Sequence, residues 1–210
     1  RGRDGLGLDQ PRRVGEPGNE RGRSRHGIAE RGVTRSAVLG QFGMAMGAIE
    51  QAVALNPSSS DAYRNRGILY DKMGRYDEAI ADYTRAITLK PSSYETYNNR
   101  GLAFGKKGQL ARAIDDYNEA LRIHPRHFGA HVNRGVAYTL TGQWDRALED
   151  FNSAILLDKN DPAGFYNRAM FYRRTGNNEL AFADIQKACD LGNEKACGML
   201  QPMQPERGPR

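Results

Sequence analysis

The chain has 210 residues, 39% of them hydrophobic, and a formal net charge of +6 at pH 7. No apolar run is long enough to span a bilayer as a helix, so no transmembrane helix is expected. Residues 1–36 hold nine Arg against five Asp and Glu, or +4, which leaves +2 for everything that follows and gives that remainder no electrostatic footprint for a phosphate backbone.

Residues 1–36 also contain eight Gly and two Pro with few large apolar side chains. Such a composition cannot offset the entropy of ordering, and a disordered Arg/Gly-rich tail is expected. The acids interspersed among the arginines, and the lack of interleaved aromatics, make a solvated tail the better reading than an arm that grips nucleic acid or an anionic surface. The chain begins at Arg1 without a charged-then-apolar leader, as a processed or partial chain would, so its compartment is not legible from this end.

Beyond the tail one unit recurs with a period of 34 residues. Gly74, Gly108, Gly142 and Gly176 mark it, as do Asn65-Arg66, Asn99-Arg100, Asn133-Arg134 and Asn167-Arg168. That period fits a helix-turn-helix unit that buries its apolar face only by stacking on a neighbour, so an all-α array is expected. A degenerate copy covers 37–59, with Ala45, Ile49, Ala52 and Pro57 in register with Ala79, Tyr83, Ala86 and Pro91. Its first helix, near Ile28 to Leu39, is weakly specified.

Full copies follow at 60–93, 94–127, 128–161 and 162–192, then a capping helix at 193–200 and a short disordered tail at 201–210. In each full copy the first helix is expected to start near Asp61, Glu95, Gly129 and Ala163 and to stop before the marker glycine, which accepts a left-handed backbone. Second helices start near Asp77, Ala111, Asp145 and Glu179, and Pro91 and Pro125 prevent two of them from continuing. Small residues (Gly67, Gly101, Gly135, Ala169; Ala79, Ala113, Ala147, Ala181) alternate with bulky ones (Tyr70, Phe104, Tyr138, Tyr172; Tyr83, Tyr117, Phe151, Ile185) on one helical face, the pattern of a packed core.

The columns Tyr63, Gly67, Tyr70, Ala79, Tyr83, Ala86 and Pro91, repeated at 34 residues, resemble the tetratricopeptide repeat family. The resemblance implies a right-handed superhelical solenoid of antiparallel helix pairs whose first helices line a concave groove. It also implies a protein or peptide partner, no cofactor and no catalysis. Lys159, His131 and Asn178 depart from the family pattern.

In that setting Asn65, Asn99, Asn133 and Asn167 form a ladder along the groove floor, similar to the peptide-reading ladder of O-linked N-acetylglucosamine transferase. A carboxamide both donates and accepts, which suits a peptide backbone; the alternative is that these residues bond neighbouring helices. The carboxylate clamp of co-chaperones is not matched, because Ile68, Leu102, Val136 and Met170 occupy the position of its second Asn. Arg64 and Asn98 sit among polar groove positions, whereas Val132, Tyr166 and Met170 make the C-terminal side apolar. An apolar anchor of the partner is expected near Val132 and Tyr166, unless those residues only meet the capping helix.

Arg66, Arg100, Arg134 and Arg168 recur sixteen residues before Asp82, Asp116, Asp150 and Asp184, and a bidentate pair between the two helices of each unit is expected. Cys189 and Cys197 match a spacing that is bridged in Sel1-like repeat proteins. They are a candidate disulfide, implying an exported or periplasmic location, and otherwise two inert thiols of a cytosolic protein. His124, His127 and His131 bunch at one junction, but His131 falls in an aromatic column, and no metal site is expected. No phosphate loop, nucleophile elbow or metallohydrolase motif is found. The reading is a non-catalytic scaffold; the alternatives are a recruiting arm of a larger enzyme, or anionic binding through the tail.

Overall fold

In the computed structural model residues 43–200 are described. The Arg/Gly-rich tail, the first helix of the degenerate copy and residues 201–210 lie outside them. The chain divides at Ala45–Met46, and all the full repeats belong to the second unit. Residues 43–55 are helical (α1). Four helix pairs follow: α2 Ser60–Lys72 with α3 Tyr76–Leu89, α4 Tyr94–Lys106 with α5 Leu110–Ile123, α6 Phe128–Leu140 with α7 Trp144–Leu157, and α8 Pro162–Arg174 with α9 Asn178–Asp190. The short α10, Glu194–Leu200, closes the row, and there is no strand among the described residues. Every full-repeat helix begins one residue before the position read from the sequence.

Local chemistry sets these boundaries. Side chains of Ser59, His127, Asp161 and Asn193 accept from the backbone N–H of Ala62, Ala130, Ala163 and Ala196, satisfying donors that a helix start leaves free. At the other end Gly74, Gly108, Gly142 and Gly176 take φ of +75°, +73°, +75° and +81°. The residue after each donates back to the carbonyl of Tyr70, Phe104, Tyr138 and Tyr172, the six-to-one bond that turns a chain out of a helix.

The core follows the small-and-large columns. Ala79, Ala86, Ala113, Ala120, Ala147 and Ala154 are fully buried. A Cβ placed on Gly67, Gly101 or Gly135 would lie 2.7, 2.6 or 2.8 Å from the ring of Tyr83, Tyr117 or Phe151, so the absent side chain is what lets the rings seat. In the last copy Ala169 faces the buried Ile185, a larger residue meeting a smaller one at similar total volume. Ala45 and Ala52 occupy the corresponding small columns of the degenerate copy and are exposed, since none of the described residues supplies a first helix to cover them.

Each repeat arginine reaches across its own helix pair with two parallel bonds. Arg66 meets Asp82 at 2.7 and 2.8 Å, Arg100 meets Asp116 at 2.9 and 2.7 Å, Arg134 meets Asp150 at 2.8 and 2.7 Å, and Arg168 meets Asp184 at 2.7 and 2.8 Å. The aspartates are buried. A third guanidinium nitrogen reaches back to the preceding repeat: Arg100 to Thr84, Arg134 to Asn118, Arg168 to Asn152. This link runs through a column whose role the sequence does not announce, and it ties repeat to repeat. Aromatic rings on the same first helices, such as Tyr97 and Phe104 around Arg100, cover the guanidinium faces.

His131 breaks the aromatic column and is put to use within this network. Its Nδ1 lies 2.9 Å from an oxygen of Asp150 and its Nε2 lies 3.0 Å from the carbonyl of Pro125. Burial alone would raise Asp150, but the hydrogen bonds from Arg134 and His131 outweigh it and hold this carboxyl below its ordinary range. Asp116, comparably buried and lacking a histidine partner, is raised by burial despite Arg100.

Packing and charge each lead to a measurable outcome. Gly101→Ala is expected to destabilise the array by about 1–3 kcal/mol, because Tyr117 must move to admit the methyl group, as read by chemical denaturation. His131→Phe is expected to move the native titration of Asp150 from below to above the ordinary carboxylate value, followed by carboxyl carbon shifts. In the parent protein the lowered value makes Asp150 stabilising above its unfolded pKa, with the benefit lost as pH falls through the native one. In the variant that benefit disappears.

Candidate functional site

First helices touch each other along the row, α2 with α4, α4 with α6 and α6 with α8. Successive second helices make no comparable contact among the described residues, so the row bends toward the first helices and their outward stripe forms the inner face. On α2 the residues opposite Tyr63, Gly67 and Tyr70 are Asp61, Asn65, Ile68 and Lys72, as the 3.6-residue period requires.

The asparagine column lies along this stripe, but its members differ in what they bond. Asn133 Nδ2 donates to Asn98 Oδ1 at 2.9 Å, a bridge between α6 and α4, and Asn98 is buried. Asn167 Nδ2 donates at 2.8 Å to the carbonyl of Ala163 on its own helix. Among the described residues no hydrogen bond engages the carboxamide of Asn65 or Asn99. Asn98 and Asn133 thus join helices, as the structural reading of the ladder requires, whereas no comparable bond is made by Asn65 or Asn99 among the described residues.

Charges in the first half of the groove neutralise one another. Arg64 pairs with Asp61 at 3.1 Å, and Lys106 pairs with Asp71 across α2 and α4. Arg64 Nε and Asp71 Oδ1 are buried and have no hydrogen-bond partner. The second half is different. A cavity of about 270 Å³ opens between α6 and α8, lined by Val136, Leu140, Met170, Asn167, Thr139 and Arg174 among others.

Val132 and Tyr166, read from the sequence as an apolar anchor point, do not line this cavity. Val132 is buried, and Tyr166 leans on the cluster of Ala169, Ile185, Ala188, Ala196 and Leu200 beneath the cap. Met170 lines the cavity together with Val136 and Leu140. Val132 and Val136 are one helical turn apart, and only neighbouring helices decide which of them is covered.

Cys189 and Cys197 are joined as a disulfide that ties α9 to α10, and Ala196 and Leu200 of α10 bury against the last repeat. The histidine cluster serves packing and capping. His124 stacks on Tyr94 at 4.5 Å, and His127 Nδ1 accepts the N–H of Ala130. Among the described residues no set of His, Cys, Asp and Glu is arranged to hold a metal ion, and no helix is long and apolar enough to cross a membrane.

Tetratricopeptide repeat profiles match residues 60–93, 94–127, 128–161 and 163–192. The chain belongs to the tetratricopeptide repeat family. No curated protein matches it in sequence. Several solved tetratricopeptide repeat structures share its fold. The thermophilic TPR protein TTC0263 of Thermus thermophilus is 22% identical with a TM-score of 0.67, covering 81% of this chain and 96% of that one. MamA is 21% identical with a TM-score of 0.65, covering 78% and 95%. YrrB, described as a TPR protein with an unusual peptide-binding site, is 21% identical with a TM-score of 0.62, covering 79% and 86%.

The two classes of groove asparagine separate in a stability measurement. Asn98→Ala is expected to cost about 1–2 kcal/mol, since it leaves Asn133 without its acceptor. Asn65→Ala is expected to stay within about 0.5 kcal/mol of the parent. Urea unfolding of both variants checks the contrast.

Proposed function

We propose that this tetratricopeptide repeat array is a non-catalytic scaffold that holds a segment of another protein on its concave face. The observation that carries the reading is hydrogen-bonding capacity left unused on that face. Among the described residues the carboxamides of Asn65 and Asn99 make no hydrogen bond, while Arg64 Nε is a buried donor and Asp71 Oδ1 a buried acceptor without partners. Buried polar atoms are nearly always satisfied, so orphans gathered on one surface call for an explanation. An extended peptide supplies carbonyls and N–H groups in alternation, and a carboxamide can meet both whatever the peptide's side chains. The peptide-binding site named for YrrB is a precedent on a similar fold.

The helix pairs are preformed and locked by the arginine network, so the partner segment, not the array, is ordered on binding. Affinity capture from the source organism tests this with the parent and an Asn65→Ala/Asn99→Ala double variant, after circular dichroism shows equal folding. The expected result is that the variant retains about a tenth or less of a specific partner, equivalent to the loss of some 1.4 kcal/mol. Undiminished capture of every partner by the variant would place binding outside the groove.

A further inference from the structure

The inner face is electrically divided, and its second half has the composition of a specificity pocket. Between α6 and α8 the cavity of about 270 Å³ is walled by Val136, Leu140 and Met170, with Asn167 and Arg174 among its lining. Leu140 is 51% exposed. Among the described residues no acidic side chain lines this cavity. Among the described residues neither Arg173 nor Arg174 forms a salt bridge, in contrast to Arg64 and Lys106, whose charges are met by Asp61 and Asp71.

We propose that this cavity receives a bulky aliphatic or aromatic side chain of a partner peptide, and that an acidic residue adjacent to that side chain in the peptide is met by Arg174. The inference rests on the groove reading above and adds the chemistry of the segment that binds there. Charge complementarity selects the occupant. An acidic flank gains a cation, Arg174, that has no salt-bridge partner among the described residues, whereas a basic flank meets it as a like charge beside an apolar cavity. The aliphatic wall supplies affinity by removing apolar surface from water, the usual role of a pocketed anchor surrounded by polar contacts. This arrangement differs from a carboxylate clamp because its cation comes from the last turn of α8 and its partner group is a side chain.

The test uses short synthetic peptides with a central leucine flanked by glutamates, and counterparts in which the flank is glutamine or lysine or the leucine is serine. They are titrated into the isotopically labelled full chain at physiological ionic strength, where charges more than about 8 Å away are screened. The expected result is that the leucine-glutamate peptide shifts the methyl signals of Val136, Leu140 and Met170. The lysine and serine peptides should bind at least about ten-fold more weakly. Arg174→Gln, at an exposed position that leaves the core intact, should remove the preference for glutamate over glutamine.

Equal affinity for glutamate and lysine peptides would overturn the proposal, as would a glutamate preference that survives Arg174→Gln. Shifts confined to the carboxamides of Asn65 and Asn99 would also overturn it while leaving the groove reading standing. Failure of the groove reading registers separately, in the capture experiment with the Asn65/Asn99 variant. If deleting residues 201–210 moves the three methyl signals in the absence of peptide, the occupant is the chain's own terminus and the proposal falls.

Discussion

The pairing of a first-helix arginine with a second-helix aspartate organises this molecule. A guanidinium presents its N–H groups in a rigid planar fork, and a carboxylate offers two oxygens at the matching separation. One such pair therefore sets the rotation and the height of one helix against the other, which a purely apolar contact leaves looser. Because the aspartates are buried, the pairs also supply what an ionised carboxylate in the interior requires to remain charged. The spare nitrogens of Arg100, Arg134 and Arg168 carry the same geometry into the preceding repeat. Regular repeats are the consequence.

Close approach of the helices depends on a second, steric condition. Gly67, Gly101 and Gly135 let the rings of Tyr83, Tyr117 and Phe151 lie where a Cβ would otherwise be. The arginine immediately before the glycine in each copy is brought near its aspartate by that same approach. The end of the array relaxes the condition with Ala169 and Ile185, and there α10 and the disulfide cover apolar surface that a further repeat would otherwise bury.

On this frame the inner face differs from one half to the other. Its first half sets Arg64 and Lys106 against Asp61 and Asp71; its second half is aliphatic, with Arg174 in no salt bridge among the described residues. Some inner-face residues are structural, such as the buried Asn98 that accepts from Asn133, and others, such as Leu140, are exposed.

Much of this was legible in the one-dimensional pattern. A 34-residue period, glycines at fixed offsets and alternating small and bulky columns name the helix pairs, because each reflects a local rule: a left-handed turn, a helical face, a matched pair of volumes. The sixteen-residue recurrence of Arg and Asp likewise announced the ion pair. Four identical asparagines offered no sign that Asn133 would bond Asn98 while Asn167 bonds the carbonyl of Ala163 on its own helix, since the partner of a side chain is set by how neighbouring helices pack. Nor could hydropathy distinguish Val132, which is buried, from Val136, which lines the cavity. Sequence by itself determined the repeating unit, its core and its internal ion pairs, all governed by short-range periodicity. Tertiary structure alone decided which inner-face residues are consumed by the stack and which stay exposed, because that division depends on the distance and angle between helices of successive repeats.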